Sequence, residues 1–244
     1  MLYSTHMSAI PELSIIFLTY NEEKNISIIL SQTERVLEQM GITHEFIVVD
    51  DASTDRTRQE VRKLQQTIPD IRLIERDNER GVATAMVRGY NECRGMYLGT
   101  LDADLAHDPE YLPAMFELLQ NGSTDFVIGS RYVPGARFVG KPFVNWIASV
   151  IGQVIVRMIL QIPVKDASNN YRVFTREVWE KIKKRLHPDG NVMLAEIVYR
   201  AHQNNFRIVE IPTLYVERRF GKSKLGVGRE AYRFFKNIFR IKWS

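Results

Sequence analysis

Short apolar, β-branched runs alternate with helix-like amphipathic segments through the first 130 residues of the chain. Polar residues follow each run, which is the pattern of a strand that ends in a loop and is succeeded by a helix. The runs are 13–19, 45–50, 71–75, 96–101 and 125–130. This alternation predicts an α/β fold, in which a mostly parallel central sheet is covered by helices on both faces.

The second half of the chain is less regular but contains the same two kinds of segment. Strand-like runs occur at 169–175 and 206–219, and helix-like patterns occur at 176–186, 192–203 and 229–243. The sequence has no internal repeat, low-complexity segment or linker. We therefore expect a single domain, large enough for an enzyme, at 1–228, followed by a basic amphipathic helix at 229–244.

The longest apolar segment, 143–164, is interrupted by polar residues at every fourth position. They are Asn145, Ser149, Gln153, Arg157 and Gln161. This spacing draws one narrow polar stripe along an apolar helix, which favours a helix on a membrane surface or under a lid over one that spans a bilayer. A largely buried helix is an equally weighted alternative.

Length and composition favour a folded protein of a reducing compartment. The chain has 244 residues, of which 45% are hydrophobic, so it can bury a sizeable core. Its single cysteine, Cys93, excludes an intramolecular disulfide and is expected to be inert. The first residues lack the apolar stretch of a secretory signal, and we expect a cytoplasmic location.

The net charge of +4 is concentrated near the end of the chain. Nine Lys or Arg residues and one acidic residue lie between 218 and 244. Phe, Ile and Trp alternate with these basic residues, as in helices that bind membrane surfaces. Nucleic acid is not expected as a partner, because the acidic loops elsewhere would repel its phosphates.

Four loops follow the first four strands, at the edge where open α/β sheets bind ligands. All four are polar and three are acidic; they read TYNEEKN, DDASTDRT, RDNERG and DADLAHDP. The sequence has no G-x-x-x-x-G-K-[ST] motif and no strand-linked G-x-G-x-x-G motif. Because carboxylates repel phosphate, such loops bind it through a divalent cation.

Asp102 and Asp104 are the candidate ligands of that cation. They lie one residue apart after a strand, and in a tight turn both carboxylates can converge on one ion. Mg²⁺ or Mn²⁺ prefers one or two protein carboxylates together with phosphate oxygens of the substrate.

Asp108 is expected to begin a helix rather than to bind metal. Pro109 and Glu110 follow it, which is the pattern of an N-cap and first turn. His107 precedes the cap; packing or support of a ligand is favoured for it over direct binding of a metal.

Five motifs then indicate a family. They are TYNEEKNI, FIVVDDASTDRT, DADLAHDPEYL, GSRY and YVERRFGKSKLG, between residues 13 and 228. In this order and spacing they resemble the inverting glycosyltransferases of family 2, and most of all the polyprenol-phosphate sugar transferases typified by dolichol-phosphate mannose synthase. The resemblance implies the GT-A fold, with a Rossmann-like sheet, a nucleotide-binding half at 13–130 and an acceptor-binding half at 131–228.

The resemblance implies a nucleotide site built from three loops. Its residues are Thr19, Tyr20 and Glu22 in the first loop, Asp50 and Asp51 in the second, and Arg80 and Gly81 in the third. The Tyr20 ring is expected to stack on the base, and the carboxylates to accept hydrogen bonds from base or ribose. Asp55 and Thr57 are expected instead to begin the next helix.

The resemblance also implies a diphosphate site. Asp102 and Asp104 match its metal ligands, Arg131 matches an arginine that approaches the phosphates, and Arg218, Ser223 and Lys224 match a segment that folds over the diphosphate. Guanidinium and ammonium groups are suited to neutralise the leaving group.

Three departures from the family pattern affect this interpretation. Ala106 stands where the family has a Gln that provides a third metal contact, so another ligand or water must fill that position. Val150 stands where the polyprenol-phosphate branch has an Arg. The segment 166–174 keeps only Asp166 and Arg172 of that branch's signature. The last two changes weaken the case for a lipid-phosphate acceptor.

The function hypothesis is transfer of a sugar, with inversion, from GDP-mannose or a UDP-sugar to a polyprenyl phosphate by an enzyme on the cytoplasmic face of a membrane. A first alternative is transfer to a hydroxyl group of a glycan, for which Glu196 is the candidate general base or else an ordinary ion-pair partner. A second is a non-catalytic nucleotide-sugar-binding protein. A membrane-protein partner or a homo-oligomer is also expected.

Overall fold

The computed structural model describes residues 10–140, 143–190, 192–217 and 227–244. In chain order, these residues form β1 (Leu13–Thr19), α1 (Ile26–Met40), β2 (His44–Asp50), α2 (Thr57–Leu64), β3 (Ile71–Glu75), α3 (Val82–Glu92), β4 (Tyr97–Asp102), α4 (Leu112–Gln120), β5 (Phe126–Ser130), β6 (Arg137–Val139), α5 (Phe143–Leu160), β7 (Arg172–Thr175), α6 (Arg176–Ile182), α7 (Val192–Gln203), β8 (Ile208–Pro212), β9 (Leu214–Val216) and α8 (Val227–Lys242). Two 3-10 turns, Pro109–Tyr111 and Lys183–Arg185, precede α4 and follow α6.

Seven strands form one sheet in the order β3-β2-β1-β4-β7-β5-β8. Neighbouring strands are parallel except at β7, which is antiparallel to both β4 and β5. Strands β6 and β9 form a separate parallel pair. The predicted α/β architecture, a mostly parallel sheet flanked by helices, is confirmed.

Alternation along the strands fills a core on each face of the sheet. Leu13, Ile15 and Phe17 of β1 pack with apolar residues of α1, α2 and α4, whereas Ile16 packs on the opposite side with residues of α3. The second core continues into α5, α6, α7 and α8. Since successive strand residues point to opposite faces, a strand that is buried along its whole length needs helices on both sides.

The segment 206–219, predicted as one strand, is divided between the two sheets. Strand β8 pairs with β5, and β9 pairs with β6. Between them, the buried Thr213 donates its backbone N–H to the carbonyl of Ser130. Pro212 ends the first strand and has no N–H for a further ladder bond. Residues 218 and 219 lie outside the described residues.

The predicted helix start at Asp108 is confirmed. Its Oδ1 accepts the backbone N–H of Glu110 at 3.0 Å, and Pro109 opens the 3-10 turn that leads directly into α4. The side chain thus satisfies an N–H that the helix itself leaves without an acceptor.

Helix α5 buries Val156 and Leu160 in the core but leaves other large apolar side chains exposed. Gln153 accepts the N–H of Ala167 and donates to the Ser168 hydroxyl. The large apolar residues exposed on the outer side are Trp146, Ile147, Ile151, Val154 and Met158. Among the described residues, no helix is long and apolar enough to cross a membrane.

Helix α8 packs against α5 and α7, and the end of the chain exposes apolar residues of its own. Ile238 and Ile241 are buried in the core, whereas Phe239 and Trp243 are exposed. The Nζ of Lys242 donates to Gln161, just after α5, at 2.8 Å. The amphipathic character expected of the chain's last helix is therefore present in its described side chains.

The proposed halves 13–130 and 131–228 share one sheet, because β7 and β8 lie on either side of β5. The division of the chain at residue 130 and the separate status of residues 229–244 stay predictions.

Replacing Asp108 with Ala should lower the free energy of unfolding by about 1 kcal/mol, because the Glu110 N–H loses its acceptor. Urea denaturation measures the change. Asp108→Asn retains an acceptor and should remain within about 0.5 kcal/mol of the parent. Weaker Mn²⁺ binding by a folded Asp108→Ala protein would argue against a purely capping role.

Candidate active site

The register of the parallel strands places the ends of three of them at the same edge of the sheet. Thr19, the last residue of β1, lies opposite Asp50 of β2, and Leu18 lies opposite Asp102 of β4. The Thr19 hydroxyl donates to Asp50 at 3.2 Å, and both residues are buried. The loops that follow these strands therefore begin side by side, as predicted.

Asp50 shapes the second loop from beneath. Its carboxylate accepts hydrogen bonds from the Ser53 N–H at 3.1 Å and from the Arg58 guanidinium. Asp50 and Asp77 bind this guanidinium and raise the pKa of Arg58 against the opposing effect of burial. The predicted contact of Asp50 with a nucleotide stays a prediction.

Asp51 joins the second loop to the third. One carboxylate oxygen accepts from Arg76 Nη1 and the other from the Gly81 N–H, both at 2.8 Å. Gly81 has φ +132°, a conformation in which a side chain would be strained. The buried Arg76 also donates to the Thr84 hydroxyl, so it fixes the chain before α3.

The first loop presents an aromatic ring to solvent. Tyr20 is 37% exposed, and the guanidinium carbon of Arg80 lies 5.8 Å from its ring centre. Tyr20, predicted to stack on the base, therefore lies next to Arg80, a residue of the third loop predicted for the same nucleotide site. Glu22 accepts from the Asn25 side chain at 2.7 Å at the start of α1.

The segment before α2 fulfils the structural role predicted for Asp55 and Thr57. Asp55 Oδ1 accepts the Thr57 N–H at 2.9 Å where the helix begins. The Thr57 hydroxyl also accepts the N–H of Glu22 at 2.8 Å, which joins the helix start to the first loop.

Asp102 and Asp104 flank the turn that follows β4. Asp102 Oδ1 accepts the Asn170 Nδ2 at 2.9 Å, and its side chain is 36% exposed. Asp104 is buried and accepts the Ala106 N–H at 3.0 Å. Leu105, between Asp104 and Ala106, has φ +63°, a left-handed conformation that turns the chain sharply. The Asp102 carboxylate is thus accessible to solvent, whereas the Asp104 carboxylate stabilises the turn through its hydrogen bond.

His107 is buried beside this acid pair. Its ring contacts those of Tyr171 and Tyr215, with centres 5.2 and 5.1 Å apart, and its Nε2 lies 3.8 Å from Asp102 Oδ2. Burial, together with the nearby Arg131 charge, lowers the pKa of His107 to about 4 despite the opposing charge of Asp104. The imidazole is therefore neutral at pH 7.

The charges of the acids at this edge are compensated differently. Asp50 and Asp51 are each paired with a guanidinium, that of Arg58 and that of Arg76. Asp102 instead faces the neutral Asn170 amide and the neutral His107 ring. These two neighbours do not neutralise its charge, which is the electrostatic condition for attracting a cation.

The carboxylates of Asp102 and Asp104 are chemically suited to bind a divalent cation, although these two residues alone do not complete its coordination. In the described ranges, no group of three or more His, Cys, Asp or Glu residues is arranged to hold a metal ion. Two carboxylates suffice for Mg²⁺ or Mn²⁺ when substrate phosphate oxygens complete the coordination. Buried unpartnered atoms of His107 and Asn170 next to Asp102 are also consistent with a polar guest.

Arg131 forms a paired contact with Asp166. Its Nε and Nη2 each donate to one oxygen of that carboxylate at 2.8 Å, and Nη2 also reaches Ser168 at 3.1 Å. The Asp166 charge raises the pKa of Arg131 against the effect of burial. The predicted approach of Arg131 to phosphates stays a prediction, and Asp166 is the residue that orients it.

Glu196 occupies a buried ion-pair cluster on α7. Its carboxylate accepts the His187 N–H and contacts His187 Nδ1, both at 2.9 Å, and the Arg200 guanidinium lies at 3.2 Å. Arg200 in turn donates to Ser244 at the end of the described chain. This geometry matches the ion-pair alternative, and a role as general base stays a prediction.

Three predicted residues, Arg218, Ser223 and Lys224, lie outside the described residues. The sequence interpretation missed other members of the site: Arg76, which braces Asp51, and Asn170, which binds Asp102. Arg76 had a usable signal, since it is the first residue after β3 and acidic residues follow it closely. Asn170 had none, because its contact spans 68 positions of sequence.

Comparison with known proteins adds a family match. The model described as Glycosyl transferase family 2 matches residues 14–183. The chain is 34% identical over 238 residues to the dolichol-phosphate mannosyltransferase of Pyrococcus furiosus, covering 96% of this chain and 64% of that protein. It is 32% identical to the polyprenol monophosphomannose synthase of Mycolicibacterium smegmatis, covering 86% of this chain and 80% of that one. The chain thus spans less than two thirds of the first relative's length.

Solved structures match the fold. Glucosyl-3-phosphoglycerate synthase from Mycobacterium tuberculosis in complex with Mn²⁺, uridine-diphosphate and phosphoglyceric acid has a TM-score of 0.72 and 14% identity, covering 95% of this chain and 78% of that one. The same enzyme with Mg²⁺ and uridine-diphosphate has a TM-score of 0.70 and 16% identity, covering 94% and 80%. The predicted GT-A fold is confirmed.

Proposed function

The chain belongs to glycosyl transferase family 2, and from that premise we propose that it transfers a sugar from a nucleotide-diphosphate sugar to a polyprenyl phosphate at a membrane surface. The observation that carries the proposal is the position of Asp102 at the end of β4 and of Asp104 just after it, at the sheet edge shared with Thr19 and Asp50. A diphosphate over this edge meets carboxylates, so it requires a divalent cation between them.

The donor in this proposal is GDP-mannose or a UDP-sugar. The names of the relatives specify mannose transfer, and the solved neighbours contain uridine-diphosphate. The exposed Tyr20 ring, with Arg80 beside it, is the proposed platform for the base. Asp51 holds the third loop at Gly81, so the walls around that platform are set before a donor arrives.

The chemistry is a displacement at the anomeric carbon. Asp102 and Asp104 would hold Mg²⁺ or Mn²⁺, which would supply positive charge to offset the charge of the diphosphate leaving group. An acceptor oxygen attacks the face opposite the diphosphate, which inverts the configuration of that carbon.

Basic side chains are proposed to stabilise the departing diphosphate. Arg131 uses Nε and Nη2 for Asp166 and Ser168, and its guanidinium has Nη1 in addition to bind a phosphate. Arg218 and Lys224 are proposed to add further positive charge. The Ser223 hydroxyl is proposed to donate a hydrogen bond to the same group.

The buried state of Glu196 supports a phosphate acceptor over a hydroxyl acceptor. A hydroxyl must lose its proton to a base, whereas a phosphate oxygen is already anionic. Glu196, the candidate base, is wholly buried and engaged by His187 and Arg200. Transfer to a glycan hydroxyl remains the alternative, and a non-catalytic nucleotide-sugar-binding protein remains the second.

The outward apolar face of α5 and the end of α8 are the proposed membrane contact. A lipid surface fits this region because exposed apolar residues lie beside Arg157, Lys236 and Arg240, which are also exposed. Basic groups beside apolar ones attract anionic lipid headgroups while the apolar groups enter the interface. Peripheral binding to the cytoplasmic face of a membrane follows from this proposal, and a membrane-protein partner or second copy is a further prediction.

A donor screen tests the proposed chemistry. In the presence of Mn²⁺, one GDP- or UDP-sugar should bind and transfer its sugar to a short polyprenyl phosphate, as measured by calorimetry and product formation. Asp104→Ala should abolish turnover, whereas the capping variant Asp108→Ala should retain it. Donor binding by the parent protein without turnover on any acceptor would favour the non-catalytic alternative.

Replacing Glu196 with Gln separates the two acceptor classes. The change retains the shape but removes the charge of the buried cluster, so the free energy of unfolding should fall by about 1–3 kcal/mol. Turnover per folded molecule should stay near normal with a phosphate acceptor. Glu180→Gln, which alters an exposed ion pair with Lys183, is the matched control. Loss of turnover with intact donor binding would indicate a hydroxyl acceptor and a catalytic Glu196.

Vesicle sedimentation tests the membrane contact. Met158→Glu should weaken binding to phosphatidylglycerol-containing vesicles at least about tenfold, because an apolar side chain no longer enters the interface. Ile28→Glu, at an exposed apolar position of α1, is the matched control and should bind like the parent. Binding should also weaken as salt rises. Equal binding by both variants would exclude the α5 face.

A further inference from the structure

Asn170 carries a buried hydrogen-bond acceptor without a partner. Its Nδ2 donates to Asp102 Oδ1 at 2.9 Å. Its Oδ1, however, is one of five buried side-chain nitrogen or oxygen atoms that have no hydrogen-bond partner among the described residues. The residue is only 8% exposed. Buried polar atoms are rarely left unpaired in folded proteins, so this oxygen calls for a specific explanation.

The orientation of the Asn170 amide follows from its neighbour. An ionised carboxylate can only accept hydrogen bonds, so the amide atom that faces Asp102 must be the nitrogen. The amide oxygen is bonded to the same carbon atom as that nitrogen, and it therefore lies beside the same carboxylate. Because the Asp102 side chain is 36% exposed, a ligand that covers this acid also comes close to the Asn170 oxygen.

The backbone of Asn170 is fixed at the edge of the sheet. Thr100 of β4 lies opposite Arg172 of β7, and this antiparallel register, continued by two residues, places Asp102 opposite Asn170. The Thr100 hydroxyl also donates to the Asn170 carbonyl. The amide thus has a defined position relative to Asp102, as is required of a residue that recognises one group of a substrate.

The order of the strands indicates which part of a sugar nucleotide reaches Asn170. Along the sheet the strands follow in the order β3, β2, β1, β4 and β7. Arg80 and Tyr20, the proposed platform for the base, come after β3 and β1. Asp102 ends β4, where the diphosphate is proposed to lie, and Asn170 precedes β7, on the other side of Asp102 from the base. A molecule that extends from base to diphosphate along this edge continues toward Asn170 with its sugar.

The sugar also has the chemistry that the unpaired atom requires. Asn170 Oδ1 can accept a hydrogen bond but cannot donate one. Ionised phosphate oxygens have no hydrogen to donate, whereas each sugar hydroxyl has one. Of the two parts of the donor that lie near β4 and β7, only the sugar can therefore satisfy this oxygen.

We infer that Asn170 Oδ1 accepts a hydrogen bond from a hydroxyl group of the donor sugar, and that this contact contributes to the selectivity for the sugar. The inference rests on the proposed function, which supplies the sugar nucleotide. A sugar that lacks this hydroxyl leaves the buried oxygen unpaired and binds more weakly for that reason.

Calorimetry on the full chain with Mn²⁺ tests the inference by comparing GDP-mannose with GDP and UDP-glucose with UDP. For the pair that binds, Asn170→Ala should weaken the sugar nucleotide roughly tenfold more than the free nucleotide. Loss of the hydrogen bond to Asp102 acts on the diphosphate, so it affects both ligands alike. An equal loss for both ligands would show that Asn170 only supports Asp102, and would overturn the inference.

Donors that lack one hydroxyl, at C2, C3, C4 or C6 of the sugar, identify the contact. One of them should bind the parent protein about tenfold more weakly than the complete donor, and Asn170→Ala should bind these two donors alike. The inference is wrong if the parent binds every deoxy donor as tightly as the complete one. It is also wrong if each deoxy donor loses as much affinity for the variant as for the parent.

Two further variants control for effects on the fold. Asn170→Leu retains a side chain of similar size and should reproduce the sugar-specific loss of Asn170→Ala. Asn121→Ala changes an exposed asparagine after α4, near the opposite edge of the sheet, and should bind every ligand like the parent. Circular dichroism identifies any variant that fails to fold, and the deoxy donors test the parent without any substitution.

The outcomes distinguish this inference from the proposed function. Binding and transfer of the sugar by the parent, without a sugar-specific effect of Asn170, would overturn the hydroxyl contact and leave the proposed function standing. Absence of sugar-nucleotide binding by the parent would overturn the proposed function and the inference together.

Discussion

Parallel pairing of β1 with β2 and β4 is the constraint on which the rest of the site depends. In a parallel pair both strands end on the same side, so Thr19 and Asp50 finish level with each other and Asp102 follows one step away. The cores on both faces hold this register, because a slip by one residue would move every side chain of the strand to the opposite face and against the wrong packing partners. Packing of the core thus places carboxylates that lie far apart in the sequence at one edge.

The loops at that edge are held in place by hydrogen bonds to one another. Asp51 holds Gly81, Asp50 holds Arg58, and Thr57 accepts from the first loop. Ordering these segments costs conformational entropy when the chain folds. A ligand that binds between loops already ordered in this way loses less free energy to ordering them. More of the free energy of its contacts therefore appears as affinity.

Local patterns were sufficient for the strands, the helix start at Asp108 and the acidic loops, because each depends on neighbours in sequence. They were insufficient for Asn170 and Asp166. Strand β7 inserts antiparallel between β4 and β5, and this places residues 166–171 against Asp102 and Arg131. The pairing partner of a strand depends on the whole sheet. The break at Thr213 escaped prediction for the same reason, since it reflects a change of sheet.

The exposed apolar residues of α5 change how the protein would be engineered for crystallisation or storage. The usual practice replaces exposed apolar residues with polar ones and avoids residues with internal contacts. Here several large apolar residues of α5 are exposed, whereas Gln153 binds Ser168, which in turn contacts Arg131. Surface redesign of this helix can therefore improve solubility at its exposed apolar positions without disturbing the interior. Replacing the polar Gln153 would instead disturb the Arg131–Asp166 pair, because only the Ser168 hydroxyl lies between Gln153 and Arg131.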